Sequence, residues 1–187
     1  MMRLGLFLIS LVALLFLCSL LIGHTQAPLS TSLKALISGQ GPLGTVMQDI
    51  RLPRAILALL VGGSLGLSGA AMQGYLRNPL AEPGLIGISG SASLGAVLSL
   101  QTGFAATFWL ALPLSALGMS VFAVFLIILL AGRQGSSLTL ILAGIAISAL
   151  AGAMTSLVLN LSPNPYATAE IVFWMMGSLA DRSFDHV

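Results

Sequence analysis

Charge is what this sequence has least of. Only 6% of its 187 residues are Asp, Glu, Lys or Arg, whereas 57% are hydrophobic, and the mean hydropathy is +1.06. A soluble domain typically carries about 25% charged residues. So few charges cannot solvate a globular surface, and lipid is therefore the expected solvent for most of the chain.

Other absences exclude whole classes of function. The single cysteine, Cys18, excludes a disulfide framework and a cysteine-rich metal site. The seven basic residues are spread singly, so no basic cluster indicates nucleic acid as a partner. No Gly-x-x-x-x-Gly-Lys-Ser/Thr loop is present, so we expect no ATP binding and no cofactor. No nucleophile–base pair can be assembled, and the sequence predicts a protein that is not an enzyme.

Long apolar runs dominate what is present. Lipid requires backbone groups to be satisfied within each segment, so these runs predict an all-α transmembrane helix bundle. The predicted spans are 4–22, 55–75, 84–100, 105–131 and 138–161, followed by an outer segment, 162–187. The third is short and rich in Gly and Ser, so we expect it to pack against other helices. We expect the N-terminus inside the cell and five crossings, although the basic residues alone decide no orientation.

Small residues recur at four-residue intervals in two of these runs. Such spacing places them on one helix face, where a second helix can approach closely. They are Gly62, Gly66 and Ala70 in the second span, with Gly69 beside them, and Gly144, Ser148, Gly152 and Ser156 in the fifth. These faces either slide during a transport cycle or are static packing surfaces.

Arg51 and Arg54 lie three residues apart where the second span begins, which we place at Pro53. Cations at a helix N-terminus are disfavoured by the helix dipole, so another interaction must stabilise them. We expect both to lie at an aqueous boundary, either meeting a partner or extending toward lipid phosphate.

Five blocks, in order, carry a resemblance to a known family. They are Arg51–Arg54, Arg77–Gly84, Gly87–Gly90, Leu142–Ala146 and Trp174–Ser178. Together they resemble the signature of the FecCD-type permeases, the importer subunits for vitamin B12, haem and ferric siderophores. The resemblance covers the chain from Arg51 onward, and the first span agrees in character only.

The resemblance implies a ten-helix permease of a type II ABC importer, in the plasma membrane of a bacterium or archaeon. Its partners would be a second permease copy, two ATP-binding cassette ATPases that hydrolyse ATP separately, a substrate-binding protein docking from outside, and membrane lipid. The chain corresponds to the N-terminal half of such a subunit. We therefore expect a fragment that lacks the coupling helix and is inactive alone.

The resemblance also assigns roles to individual residues. Arg51 and Arg54 would meet acidic residues of the substrate-binding protein. Asn78 and Leu80, with Ser136 and Ser137 in a later turn, would form an inner gate. From sequence alone, ordinary connecting turns explain these four proposed gate residues equally well.

Two other functions remain open at this point. An ion-coupled secondary transporter would need charges within its spans or broken helices, and a membrane-embedded enzyme would need a catalytic constellation. The sequence shows no charge at the centre of any predicted span. It does not name the ligand, nor does it decide between a homodimer and a heterodimer.

Overall fold

The computed structural model describes residues 2–23, 27–84, 86–132, 135–179 and 182–187. Every regular element in these ranges is a helix, which confirms the predicted all-α fold class. The chain divides into two compact units, one formed by residues 1–64 with 178–187 and one by residues 65–177.

The first unit begins with α1, Met2–Leu21, followed by two short helices, α2 at Leu29–Ser38 and α3 at Gly41–Thr45. A π-helix, Val46–Arg51, then leads directly into α4, Leu52–Leu76, whose first part belongs to this unit. Most side chains of α1 are exposed, as expected of an apolar helix that faces lipid.

Pro53 explains the π-helix. Proline has no N–H, and in an α-helix its ring collides with the carbonyl of the residue four positions earlier, here Asp49. The backbone N–H of Leu52 instead donates to the oxygen of Met47, five residues before it. The extra residue in this turn accommodates the ring. The helix therefore continues from Gly41 to Leu76, which differs from the predicted start at Pro53.

The second unit comprises the last part of α4 and a packed group of helices that follows it. It contains α5, Ile88–Gln101, α6, Ala111–Ala131, α7, Ser137–Asn160, and α8, Pro165–Met175. Helices α5, α6 and α7 all contact one another. A buried aliphatic cluster between α6 and α7 comprises Ala123, Ile127, Ala143 and Ile147.

Within the described ranges, four helical segments are long and apolar enough to cross a membrane by length and composition: α1, Gly41–Leu76, α6 and α7. Helix α5 has 14 residues, or about 21 Å, which is shorter than a hydrocarbon core of about 30 Å. Six of its residues are buried among the neighbouring helices. That α5 crosses the membrane remains a prediction.

Two helix starts differ from the predicted spans. Helix α5 begins at Ile88 and not at 84, because Gly87 is in a left-handed conformation (φ 77°) that no continuous α-helix contains. Helix α6 begins at Ala111 and not at 105, after a short 3₁₀ turn at Phe104–Ala106. Pro113 fits only the first turn of a helix, so a longer α6 would be broken there.

The tightest contact between α5 and α6 occurs at Gly95. A Cβ atom there would overlap with the backbone oxygen of Ser115 and would lie 2.7 Å from Cβ of Met119. Backbone atoms of a neighbouring helix cannot move aside as a flexible side chain does. Glycine is therefore required for this approach.

We expect Gly95→Ala to destabilise the protein by about 1–3 kcal/mol, the usual effect of overfilling a packed site. Gly118→Ala on α6 is the matched control, because no described atom outside its helix lies within 4 Å of the added carbon. Thermal unfolding in lipid nanodiscs checks both. Equal unfolding temperatures for the two variants would contradict the close approach.

Candidate functional site

Arg51 lies inside the first unit, with only 8% of its surface exposed. Its Nη1 donates hydrogen bonds to the backbone oxygens of Leu20 and Leu21, each at 3.1 Å. Those carbonyls belong to the last turn of α1, where no helical N–H can reach them, and the negative end of the helix dipole favours a cation. Arg51 thus caps α1, which differs from the aqueous exposure expected of it.

Gly23 makes room for this cap. A Cβ atom on Gly23 would overlap with Nη2 of Arg51 and lie 2.6 Å from its Cζ. The chain leaving α1 therefore passes directly over the guanidinium group. No sequence pattern indicated this contact, because Gly23 and Arg51 are far apart along the chain.

Arg54 is exposed, unlike Arg51. Its Nε donates to the backbone oxygen of Leu179 at 3.3 Å, which ties α4 to the last residues of the first unit. Of the two arginines predicted to meet a partner, Arg54 is the one on the surface.

Gln48 is a second capping side chain that sequence analysis missed. Its Nε2 donates to the backbone oxygen of Leu36 at 2.8 Å, near the end of α2. The π-helix therefore holds the C-terminal carbonyls of two helices, α2 through Gln48 and α1 through Arg51.

The turn after α4 is built from its own hydrogen bonds. Arg77 takes a left-handed conformation (φ 50°), and the N–H of Asn78 donates to the oxygen of Gln73 at 3.2 Å, which is a Schellman ending. Oδ1 of Asn78 accepts from the N–H of Leu80 at 2.9 Å. These bonds fix the turn and leave Leu80 80% exposed.

A groove of about 590 Å³ lies between α4 and this turn, within the second unit. Leu80 lines it opposite the small residues of α4, and polar side chains enter it from three places. The small residues are Gly66, Gly69 and Ala70, and the polar ones are Gln73, Glu82 and Ser89. The structure thus brings one predicted gate residue beside part of the predicted small-residue face.

Ser136 and Ser137 begin α7 and are exposed. Oγ of Ser136 accepts from the N–H of Thr139 at 3.2 Å and lies 3.0 Å from Oγ1 of the same residue. This is an ordinary N-cap. Among the residues that the structure describes, neither serine lines the groove beside Leu80.

The two small-residue faces differ in their surroundings. On α7, an added Cβ at Gly144 would lie 2.9 Å from Cα of Ile86, and Ser148 contacts Gly87, so this face packs on the start of α5. At Gly62, Gly66 and Gly152 no described atom outside the helix lies within 4 Å of that position. The α7 face therefore packs within the second unit at Gly144 and Ser148 and is open at Gly152, whereas the α4 face is open at Gly62 and Gly66.

A family model described as the FecCD transport family matches residues 11–187. The chain belongs to the FecCD transport family. It is 40% identical over 174 residues to the ferric enterobactin transport system permease protein FepD of Escherichia coli, covering 88% of this chain and 50% of FepD. It is 36% identical to the iron(3+)-hydroxamate import system permease protein FhuG of Bacillus subtilis, covering 90% of this chain and 52% of FhuG.

A solved structure agrees with this FecCD assignment. It shows an ABC transporter assigned to the metal-chelate type in an inward-facing conformation, and it is 30% identical with a TM-score of 0.80. The match covers 99% of this chain and 56% of the other. The FecCD chain described here thus spans about half the length of the relatives it matches.

Its FecCD membership and its apolar helices together make this a multi-pass inner-membrane protein. In the part of the chain that the structure describes, no group of three or more His, Cys, Asp or Glu side chains is placed to hold a metal ion.

Proposed function

We propose that this chain forms part of the translocation path of an ABC importer permease for iron-siderophore, haem or cobalamin-type substrates. The match to the FecCD model over residues 11–187 carries the proposal. ATP hydrolysis belongs to separate ATPase subunits, and a substrate-binding protein delivers the ligand. A second permease copy completes the path in the plasma membrane of a bacterium or archaeon.

The names of the relatives support this substrate class. They include permeases for ferric enterobactin, for iron(3+)-hydroxamate and, in Klebsiella pneumoniae, the vitamin B12 import system permease protein BtuC, 37% identical over 141 residues. A molybdate import permease of Haemophilus influenzae, 36% identical, widens the class to an oxyanion. A metal chelate is the substrate most of these names share.

The energy source of uptake tests the function against its main rival. In cells that carry the transporter containing this chain, we expect chelate uptake to be inhibited by vanadate and to survive a protonophore while ATP is maintained. Uptake abolished by the protonophore and insensitive to vanadate would instead support an ion-coupled carrier.

Arg54 is the residue we propose to contact the substrate-binding protein. Arg54→Glu in the assembled transporter should slow association severalfold and reverse its salt dependence, because exposed charges act mainly on encounter rates. Stopped-flow association at low and high salt measures this. Lys34→Glu, also exposed on the first unit, is the control for a general charge effect. An association rate unchanged at low salt would leave lipid phosphate as the partner of Arg54.

Leu80, with Asn78, Ser136 and Ser137, forms the proposed inner gate. The support is its position on a fixed turn, where it is exposed beside the groove against α4. Leu80→Ala should raise ATP-independent leak of substrate from loaded proteoliposomes severalfold and leave the unfolding temperature unchanged. Leu138→Ala, similarly exposed on α7, is the control. Leak at the wild-type rate would make this an ordinary turn.

A further inference from the structure

Helix α2 presents an uncovered aliphatic stripe. Leu29, Leu33 and Ile37 are spaced four residues apart and so share one helix face. They are 60%, 41% and 85% exposed. A different face, with Ser32 and Ala35, is buried. A large aliphatic stripe in water is unfavourable, so something apolar should cover it.

The height of α2 relative to the membrane follows from the π-helix. Gln48 holds the end of α2 and Arg51 holds the end of α1, and three residues of helix separate these anchors by only about 5 Å along the axis. Since α1 is long and apolar enough to cross the membrane, we take its last turn to mark a membrane surface. The end of α2 therefore lies close to that surface.

The length of the long helix that contains the π-helix independently indicates the same membrane depth. Gly41–Leu76 has 36 residues, or about 54 Å, whereas the hydrocarbon core is about 30 Å thick. Its strongly polar residues near the first end are Gln48, Asp49, Arg51 and Arg54. That end must be the part outside the hydrocarbon, which again places the π-helix at the lipid headgroups.

We infer that α2 is an interfacial helix whose Leu29–Leu33–Ile37 stripe is inserted into the lipid at the boundary between headgroups and acyl chains. On α1, in the same unit, the apolar side chains of Leu14 and Leu17 are also exposed, as expected of a surface that faces lipid. The one charged residue in α2 is Lys34, beside the stripe. Its ammonium group reaches lipid phosphate, while its aliphatic stem lies in the apolar region. An amphipathic helix of this kind lies in the membrane plane.

Spin labels on single cysteines test the insertion. In a Cys18→Ser background, Leu33→Cys and Ile37→Cys place labels on the stripe, and Thr31→Cys and Ser38→Cys are the matched controls on the exposed polar face. The full chain is placed in nanodiscs of phosphatidylethanolamine and phosphatidylglycerol. Collision rates with oxygen, which enters lipid, and with a water-soluble nickel chelate are then measured.

We expect the ratio of oxygen to nickel collisions to be severalfold higher at 33 and 37 than at 31 and 38, with the stripe labels roughly 5–10 Å below the phosphates. Equal ratios at all four positions would place the stripe in water and overturn the inference. Protection of the stripe labels from both reagents would mean that protein covers it, which also overturns it. The two stripe positions are independent, so poor folding of one variant leaves the other decisive. None of these results depends on whether the protein transports a chelate.

Discussion

Arg51→Glu is expected to prevent the first unit from folding. The substitution places a carboxylate against the backbone oxygens of Leu20 and Leu21, at the negative end of α1, in a site that is 8% exposed. An uncompensated buried charge costs about 3–5 kcal/mol, a large fraction of the stability of a typical domain. We expect most of the variant to be lost as aggregate or degraded protein. Size-exclusion chromatography of the membrane extract, with the unfolding temperature of any folded fraction, measures the loss.

Arg54→Glu is the matched control for this loss. It makes the same change of charge three residues later, at an exposed side chain, so the folded yield should stay near that of the wild type. Arg51→Lys keeps the charge with a single donor group and should fall between them. Equal yields for the two glutamate variants would show that Arg51 does not cap α1. Both arginines were expected at an aqueous boundary, and the structure supports this only for Arg54.

Gly87→Ala is expected to be the most destabilising single-methyl addition in the second unit. Gly87 has φ 77°, and an added Cβ would lie 2.7 Å from the backbone nitrogen of Ser148 and 2.8 Å from the backbone oxygen of Gly144. The left-handed backbone costs a non-glycine residue about 1–2 kcal/mol, and overfilling a packed contact adds about 1–3 kcal/mol. Both atoms are backbone atoms of α7, which cannot rotate away. The unfolding temperature in nanodiscs should fall clearly.

Gly103→Ala separates the two costs. Gly103 has nearly the same backbone conformation, φ 74°, but no described atom lies within 4 Å of its added Cβ. This variant should therefore lose only the conformational part, about 1–2 kcal/mol. A Gly87→Ala variant no less stable than Gly103→Ala would show that α7 does not pack on the start of α5.

Features that depend on composition and on the length of apolar runs were predictable from the sequence. The all-α class and the locations of α1, α6 and α7 follow from runs long enough to cross lipid. The ordered blocks from Arg51 to Ser178 indicated the FecCD family, which the comparisons confirm. These signals lie within single apolar runs or in the order of the sequence blocks. They can therefore be recognised without knowing which helices contact one another.

Features that depend on which elements meet were not predictable. Pro53 predicted a helix start because proline is common in a first turn, but the π-helix before it lets the helix continue. Gly95 and Gly118 look alike in sequence, and only the crossing of α5 and α6 makes one of them irreplaceable. Arg51 and Arg54 likewise share a motif, and the end of α1 determines which of them is buried.

We propose that the chain belongs to an importer powered by partner ATPases and supplied by a binding protein. The most direct test is reconstitution of the complete transporter in proteoliposomes, with ATP on the side of the ATPases and the binding protein with its chelate on the other. Under this proposal, the chelate accumulates only when both ATP and the binding protein are present, and the loaded binding protein stimulates ATP hydrolysis. Accumulation driven by an ion gradient without ATP, or unaffected by omitting the binding protein, would contradict it.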